Sequence, residues 1–263
     1  MLIAQISDTH VMPDGRLMSG RVDTAPYLER AVAHLLALDP RPDVVLATGD
    51  LVDAGSAAEY DRLRGILAKL PMPVYVVPGN HDARAALRAG FADHAHLQQG
   101  DFVQYAIEDH PLRLIGLDTL VEGAPHGELC DARLDWLAAR LAESERPTVI
   151  FMHHPPFACG IHEFDATSLN AGAERLAAIV RRNPQVERVL CGHVHRPIQA
   201  RWAGTLASIG PSTAHQATLD LRPGVDITFT MDPPAVALHQ WRGGALVTHI
   251  SYVGEFDGPH PFT

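Results

Sequence analysis

The first half of this chain alternates solidly apolar segments with segments of helical spacing. The apolar segments predict strands at residues 2–6, 44–47 and 74–77, and helices are predicted between them at residues 24–38 and from residue 56 to about residue 70. Uninterrupted apolar strands are typical of sheets covered on both faces. Strand–helix–strand repeats of this length favour parallel pairing through right-handed crossovers. The pattern therefore predicts an α/β fold built on a parallel sheet.

The pattern of predicted strands and helices changes after His195. Before that point the pattern predicts strands at residues 102–107, 112–117, 148–152 and 186–191, and helices at residues 131–142 and 172–182. Beyond it, short β-prone runs broken by Pro and Gly predict an antiparallel β region, with strands at residues 206–209, 225–230, 236–241 and 246–252. Residues 157–169 lack periodicity and are predicted to form a loop over a functional site.

The composition argues against several classes of partner. The net charge is −10, Lys69 is the only lysine, and no run of basic residues occurs, so nucleic-acid polymers are not expected partners. No apolar run approaches the length of about 18 residues that spans a membrane. The three cysteines, Cys130, Cys159 and Cys191, form no C-x-x-C pair. An odd number without such a pair predicts free thiols, a buried Cys191 and a cytoplasmic location.

Five short polar motifs come directly after predicted strands. They are Asp8-Thr9-His10, Gly49-Asp50, Gly79-Asn80-His81, His153-His154 and Gly192-His193-Val194-His195. Because the carboxyl ends of parallel strands meet at one edge of a sheet, these side chains are expected to converge. The spacing of two residues within Asp8-Thr9-His10 and His193-Val194-His195 directs both polar side chains of each pair to the same side.

The types of side chain in these motifs predict a metal centre. Carboxylate, amide and imidazole ligands without thiolate suit Mn, Fe, Co or Zn in a catalytic role. Taken singly, Asp8 is better explained as a turn residue or helix cap and the Asn80-His81 pair as a turn, but five such motifs in order favour a shared site. They supply enough ligands for two adjacent divalent ions, which together activate water and stabilise an in-line displacement at phosphorus. We therefore expect a hydrolase of phosphate esters.

The other polar residues near these motifs have less specific interpretations. His154 is expected to point away from the site and to support it, and Asp53 is expected to be a turn residue. His162 and His215 are expected in loops at the rim. A further group of histidines is expected at the surface or in loops: His34, His94, His96, His110, His126, His239, His249 and His260.

The five motifs together resemble those of the calcineurin-like metallophosphoesterases. Ile6-Ser7-Asp8-Thr9-His10 and Cys191-Gly192-His193-Val194-His195 are similar to the bacterial branch that hydrolyses cyclic nucleotides and glycerophosphodiesters. The resemblance implies a four-layer α/β/β/α sandwich. Residues 1–200 are expected to form the catalytic core, and residues 201–263 to complete the sandwich and supply a cap or oligomer contact. The apolar C-terminal strands and Trp241 are the expected interface of a homo-oligomer.

The resemblance also implies a role for each motif. One divalent ion would be held by Asp8, His10, His195 and a bridging Asp50, and the second by Asp50, Asn80, His153 and His193. His81 would act at the leaving oxygen, beside the catalytic Asp50 and Asn80, and Arg21 would approach the substrate.

Departures from the family narrow this interpretation. Residues 49–53 lack the tyrosine that follows Gly-Asp in purple acid phosphatases, which disfavours that class. Ala54 lies where the glycerophosphodiesterase member has a cysteine, so a cross-link to the C-terminal tail is not expected. The leading hypothesis is a binuclear-metal phosphodiesterase acting on small phosphodiesters, either glycerophosphodiesters or cyclic nucleotides. A phosphomonoesterase using the same metals and a non-catalytic scaffold of the same fold are the alternatives.

Overall fold

Two facing β-sheets form the centre of the computed structural model, which describes residues 1–262. The strands are β1 Leu2–Ile6, β2 Val44–Thr48, β3 Val74–Val77, β4 Tyr105–Ile107, β5 Arg113–Gly116, β6 Gly127–Glu128, β7 Thr148–Phe151, β8 Leu169–Ala171, β9 Val186–Cys191, β10 Ile198–Trp202, β11 Thr205–Ile209, β12 Gln216–Ala217, β13 Phe229–Thr230, β14 Ala235–Arg242 and β15 Ala245–Tyr252.

The parallel strands of each sheet place their carboxyl ends at one edge. The first sheet has the order β15-β14-β1-β2-β3, in which β1, β2 and β3 are parallel and β14 is antiparallel to β1. The second has the order β10-β11-β9-β7-β5-β4, in which β5, β7, β9 and β11 are parallel. Two short ribbons, β12-β13 and β6-β8, complete the strands of the described residues.

Helices cover the outer faces of both sheets. They are α1 Ala25–Ala37, α2 Ala57–Leu67, α3 Arg84–Gly90, α4 Asp131–Ala142, α5 His162–Thr167 and α6 Ala173–Arg181, with a 3₁₀ helix at Ala95–Gln98. Leu28 and Leu35 of α1 share a buried cluster with the first sheet, and Leu137 of α4 and Leu176 of α6 share a second cluster with the other sheet. None of the helices within residues 1–262 is long and apolar enough to cross a membrane.

The second sheet shows directly why four layers form. Along β5 and β7, Leu114 and Val149 belong to the cluster between the sheets, whereas Ile115 and Ile150 belong to the cluster under α4 and α6. Successive side chains of a strand point to opposite faces, so each strand of this run is apolar on both. The predicted four-layer α/β/β/α arrangement is confirmed.

The segment at residues 157–169, predicted as a loop over the site, does lie over the site, but the prediction of a loop is wrong from residue 162 onward. The segment contains α5, and β8 begins at its end. The Asp165 carboxylate accepts hydrogen bonds from the backbone N–H groups of Cys159 at 2.6 Å and Gly160 at 3.0 Å, which holds the chain in front of the helix. A helix of six residues is too short to show helical periodicity in the sequence.

Two predicted strands are shorter than expected. The strand predicted at residues 102–107 begins only at Tyr105, because the backbone N–H of Val103 donates to the carboxylate of Asp118 at 2.9 Å. The strand predicted at residues 225–230 is reduced to Phe229–Thr230.

The placement of His239 also differs from the prediction. This side chain is 1% exposed and lies within β14, not at the surface. Hydrogen-bonding partners on both ring nitrogens explain how a histidine is accommodated there. The cysteines agree with the prediction, because all three are free and Cys191 is buried.

Candidate metal centre

The five motifs converge at the common edge of the two sheets. Asp8 and His10 follow β1, Asp50 follows β2, and Asn80 follows β3, all in the first sheet. The histidines come from the other sheet, His153 after β7 and both His193 and His195 after β9. The site therefore straddles the two sheets, and the distance between them sets the distance between its halves.

The backbone at this edge is unusual at five of the predicted ligands. Asp8, His10, Asp50, His193 and His195 all have φ between 41° and 74°. Left-handed backbone is uncommon outside glycine, although Asp and His tolerate it better than most residues. Such conformations persist only where the surrounding structure imposes them, and they cluster at functional sites.

Gly49 shows how tightly the chain is packed there. Its φ is +89°, and a side chain at this position would collide with the ring of His153. Glycine is therefore required before Asp50, both for the turn and for the approach of the histidine.

A first cluster joins Asp8, His10, Asp50 and His195. One donor atom from each lies within 4.8 Å of the others. His10 Nε2 is 3.2 Å from His195 Nε2 and 3.6 Å from Asp50 Oδ2, and His195 Nε2 is 3.4 Å from Asp8 Oδ1. All four residues are buried.

A second cluster lies beside it and shares Asp50. The Asn80 Oδ1 atom is 3.1 Å from His153 Nε2 and 3.1 Å from His193 Nδ1. His153 Nε2 is 3.3 Å from Asp50 Oδ2, the same oxygen that faces His10. The structure thus places Asp50 between two groups of donors.

Burial and charge shift the pKa values of these groups in opposite directions. Burial raises the pKa of Asp8 to about 6. Burial lowers the pKa of His153, but the adjacent Asp50 carboxylate outweighs it and raises that pKa to about 9. Burial likewise opposes ionisation of Asp50, but His153 holds its pKa well below the usual value. Burial lowers the pKa of His193 and His195 well below the usual range, and the neighbouring histidines add to this.

The arrangement of donors fits divalent cations. His10 Nδ1 faces Asp53 Oδ1 at 3.1 Å, and His195 Nδ1 faces the carbonyl oxygen of His215 at 3.3 Å. Both Nδ1 atoms therefore have hydrogen-bond partners. The two Nε2 atoms face each other, and at most one proton can lie between them. Asp8 Oδ2 is buried and has no hydrogen-bond partner among the described residues. A cation would satisfy both the orphaned oxygen and the facing nitrogens.

Asp53 has a larger part in the site than its prediction as a turn residue suggested. Its carboxylate contacts His10, and its carbonyl oxygen accepts a hydrogen bond from His81 Nδ1 at 2.8 Å. The hydrogen bond to His10 lowers the pKa of Asp53. The signal for this role was present in the sequence only as the short spacing between Asp50 and Asp53.

Asp82 holds the Gly79-Asn80-His81 turn in place. Its carboxylate accepts hydrogen bonds from the N–H groups of Gly79 at 2.8 Å and Leu51 at 3.1 Å, and from the Tyr60 hydroxyl at 2.7 Å. Burial, with Asp50 nearby, raises its pKa to about 6. No role for Asp82 was predicted from the sequence.

His154 supports the site, as expected. Its Nε2 lies 3.3 Å from the carbonyl oxygen of Pro125, and its Nδ1 lies 2.8 Å from the Thr119 hydroxyl. The His154 ring lies 4.8 Å from that of His193, and one of its nitrogens lies within 4.8 Å of donor atoms of His153 and His193. Its hydrogen bonds to Thr119 and Pro125 nevertheless connect it to the structure around the site rather than to Asp50 or Asn80.

A cleft of about 550 Å³ opens above the two clusters. His81 and His215 line it, and the His215 ring lies 4.6 Å from the ring of His195. Burial lowers the pKa of His215 to about 2, with His195 contributing. The apolar walls are formed by Met18, Pro125, Phe164, Ala217, Ile227 and Phe229. Arg21, which the resemblance placed near the substrate, is exposed and lies outside this lining. His162, expected in a loop at the rim, is the first residue of α5 and also lies outside the lining.

Comparisons with known proteins agree with this geometry. The family model described as calcineurin-like phosphoesterase matches residues 1–197. The probable glycerophosphodiester phosphodiesterase GpdQ of Arcobacter nitrofigilis is 38% identical, over 100% of this chain and 97% of its own length. The 3′,5′-cyclic adenosine monophosphate phosphodiesterase CpdA of Escherichia coli K12 is 33% identical, over 94% of this chain and 88% of its own.

The solved structures include a similar fold. A dimetal phosphatase from Danio rerio superposes with a TM-score of 0.72 and 17% identity, covering 97% of this chain and 96% of that one. The chain belongs to the calcineurin-like phosphoesterase family. Within that family, its relatives of high coverage carry the names of bacterial phosphodiesterases.

Proposed function

We propose that this protein is a metal-dependent phosphodiesterase that hydrolyses small phosphodiesters at a binuclear centre. The observation that carries the proposal is the composition of the cleft. Donor side chains form its floor and apolar side chains its walls, and no lysine or arginine is among the described residues that line it. The names of the bacterial relatives support the same reaction.

The missing cationic side chains favour a diester over a monoester. A phosphomonoester carries close to two negative charges at neutral pH, and enzymes commonly neutralise such a group with arginine. A diester carries one negative charge and two organic groups. A cleft whose only cations would be metals, and whose walls are apolar, suits the diester better.

The ligand assignment implied by the family resemblance is kept as part of the proposal. Asp8, His10, Asp50 and His195 would hold one divalent ion, and Asp50, Asn80, His153 and His193 the other. When bound, the two ions would make water nucleophilic near neutral pH and offset charge on the phosphate oxygens. Fe, Mn, Co and Zn are the candidate metals. Reloading the metal-stripped protein with Mn²⁺, Co²⁺ or Zn²⁺ tests which of these three supports turnover.

The chain itself supplies orientation and proton transfer. Asp50 Oδ1 accepts the backbone N–H of His81 at 2.9 Å, which ties the turn carrying His81 to the centre. With Nδ1 donating to the carbonyl oxygen of Asp53, Nε2 is the ring nitrogen of His81 that remains for a leaving oxygen. The side chain of His81 is 41% exposed towards the cleft, so a substrate can reach it. We propose that His81, in its doubly protonated imidazolium form, donates a hydrogen bond or the Nε2 proton to the departing alkoxide, which leaves the ring neutral with its remaining proton on Nδ1.

The test compares kcat/KM for bis(p-nitrophenyl) phosphate and p-nitrophenyl phosphate on metal-stripped protein reloaded with Mn²⁺, Co²⁺ or Zn²⁺. We expect the diester to be preferred by about tenfold or more, and only when metal is present. Asp50→Ala, which removes the shared ligand, should abolish turnover and metal retention. Preference for the monoester would instead identify a phosphatase. Two bound metals without turnover of either ester would support the non-catalytic scaffold.

To identify the class of natural substrate, kcat/KM is compared for a glycerophosphodiester and a 3′,5′-cyclic nucleotide under the same metal loading. The expectations of a homo-oligomer, a cytoplasmic location and a domain boundary near residue 200 stay predictions.

A further inference from the structure

A buried carboxamide links the two sheets directly beneath the metal centre. Gln5 lies on β1, three residues before Asp8, and is 1% exposed. Its Nε2 donates to Thr48 Oγ1 at 2.9 Å and to the carbonyl oxygen of Cys191 at 2.8 Å. Thr48 is the last residue of β2 in the first sheet, and Cys191 is the last residue of β9 in the second. One proton of the amide group is therefore donated within the first sheet, and the other crosses to the second sheet.

The two acceptors lie immediately before proposed ligands. Thr48 precedes Gly49 and Asp50, and Cys191 precedes Gly192 and His193. The carbonyl oxygen of Thr48 also accepts a hydrogen bond from His153 Nδ1 at 2.8 Å. The bridge thus joins the ends of the strands that carry Asp50 on one side and His193 on the other.

The orientation of the carboxamide is fixed from the opposite side. Because Nε2 serves two acceptors, Oε1 must accept, and it lies 3.1 Å from His239 Nε2. That histidine then carries its proton on Nε2, and its Nδ1 accepts from the Thr248 hydroxyl at 2.8 Å. The Thr248 oxygen in turn accepts from Arg188 Nη1 at 2.9 Å. Burial lowers the pKa of His239 to about 3, so the ring is neutral, as this pattern requires.

Packing limits the carboxamide on the side of Gly210. Gly210, next to the end of β11, lies against it, and a Cβ there would come within 2.8 Å of Gln5 Nε2. The backbone N–H of Gly210 donates to the same Cys191 carbonyl oxygen at 2.9 Å. Gly210 therefore confines the carboxamide on one side, and a cavity of about 240 Å³, lined also by Ser208, His239 and Thr248, lies beside it. The hydrogen bonds to Thr48, Cys191 and His239 hold the carboxamide in its place.

An apolar side chain would be the ordinary choice at such a place. Ile3, two residues earlier on the same strand, is fully buried in the core between the sheets. A buried amide gains little net stability, because it gives up hydrogen bonds to water, whereas a fully satisfied network fixes geometry. These properties favour a role for Gln5 in fixing the distance between the two sheets.

We propose that Gln5 is a positioning residue whose carboxamide sets the separation of the two sheets at the metal centre, and that His239 orients it. The inference rests on the proposed binuclear centre, because Asp8, His10, Asp50 and Asn80 belong to one sheet and His153, His193 and His195 to the other. Loss of the bridge is expected to separate the two halves, so that metal affinity falls more than folding does.

The test uses Gln5→Met, which keeps the length and removes the hydrogen bonds, and Gln5→Glu, which places an oxygen against the Cys191 carbonyl. Metal per protein is measured after competition with a chelator, and the exchange coupling of the two ions is measured by electron paramagnetic resonance of the Mn²⁺-loaded protein. Both variants should bind metal about tenfold or more weakly than the wild type, with altered coupling, an effect typical of residues that orient ligands.

Two matched variants separate positioning from general loss of stability. Ile3→Val removes buried apolar contact from the same strand, and Ser208→Ala alters a buried hydroxyl that has no hydrogen-bond partner among the described residues. Both should keep wild-type metal affinity and coupling. His239→Phe leaves Gln5 Oε1 without its donor and should reproduce the effect of Gln5→Met in part.

Wild-type affinity and coupling in folded Gln5→Met or Gln5→Glu would overturn the inference. If neither variant folds, the same result in His239→Phe would overturn it. Failure of the wild type to bind two ions would instead count against the proposed function, so the two failures are distinguishable.

Discussion

At the scale of single residues, the side chains that hydrogen-bond to the proposed ligands have specific partners of their own. Asp53 contacts His10 through its carboxylate and His81 through its carbonyl oxygen. A carboxylate on the outer nitrogen of a ligating histidine fixes the tautomer and raises the basicity of the other nitrogen. Asp53 therefore connects a proposed metal ligand with the proposed proton donor.

We expect Asp53→Asn to weaken metal binding and to lower kcat/KM for a diester, each by about 10- to 100-fold, because His10 loses its charged partner. Chelator competition and steady-state kinetics measure the two effects. Asp14→Asn is the matched control, since Asp14 is 91% exposed and pairs with Arg62 away from the centre. Unchanged metal affinity in Asp53→Asn would return Asp53 to the status of a turn residue.

The residue scale also separates what a sequence can show from what it cannot. Asp8, Asp50 and His193 were predictable because each follows an apolar strand, and parallel strands bring their ends together. The roles of Gln5 and His239 were not, because each depends on partners more than 40 residues away along the chain. A lone buried polar residue within an apolar strand gives no sequence pattern from which its hydrogen-bond partner can be predicted.

At the scale of elements, helix α2 begins with a capping box that also fixes the site. The Glu59 side chain accepts hydrogen bonds from the N–H of Ser56 at 2.8 Å and from the N–H of Ala54 at 3.2 Å. Glu59 is 1% exposed. The sequence predicted the capping box. The additional hydrogen bond from the N–H of Ala54, the residue after Asp53, to the Glu59 carboxylate appears only in the structure.

We expect Glu59→Ala to lower the free energy of unfolding by about 1–3 kcal/mol, because buried N–H groups lose their acceptor. The loss should be accompanied by lower activity, since the residue that contacts His10 lies in the loosened segment. Urea denaturation and diester turnover measure the two. Asp61→Ala, an exposed position on the same helix, should change neither. An equal loss of stability in both variants would show that helix propensity, not the capping box, is responsible.

Helix α5 shows the limit of prediction at this scale. It contributes Phe164 and Thr167 to the cleft, yet its six residues give no helical period. Strands and long helices were predictable because each repeats a pattern several times, whereas α5 depends on a few local hydrogen bonds such as those of Asp165. The walls that select a substrate are thus the part of the site least visible in the sequence.

At the scale of the whole molecule, buried neutral histidines make stability depend on pH. Burial lowers the pKa of His239 from 6.5 to about 3, so the folded state binds this proton less readily than the unfolded state does. The contribution is complete above the unfolded value and is lost as pH falls from about 6.5 towards 3.

We expect the unfolding free energy of the metal-free protein to fall with decreasing pH more steeply in the wild type than in His239→Gln, by about 1.4 kcal/mol per pH unit. Denaturation at several pH values between about 6.5 and 4 measures the difference. His249→Gln, which alters an exposed histidine on the neighbouring strand β15, should keep the wild-type slope. Identical slopes for the wild type and His239→Gln would mean that this ring is protonated without cost.

The left-handed backbone at five proposed ligands has a consequence for engineering. Each such residue costs about 1 kcal/mol relative to a glycine at the same place. Glycine at Asp8, Asp50 or His193 would relieve this strain but would also remove a proposed ligand, and at the two aspartates the acceptor of a backbone N–H, so selection for heat resistance alone does not protect the centre. Screens on this protein need to score turnover and melting temperature together, because a heat-resistant survivor can otherwise be inert.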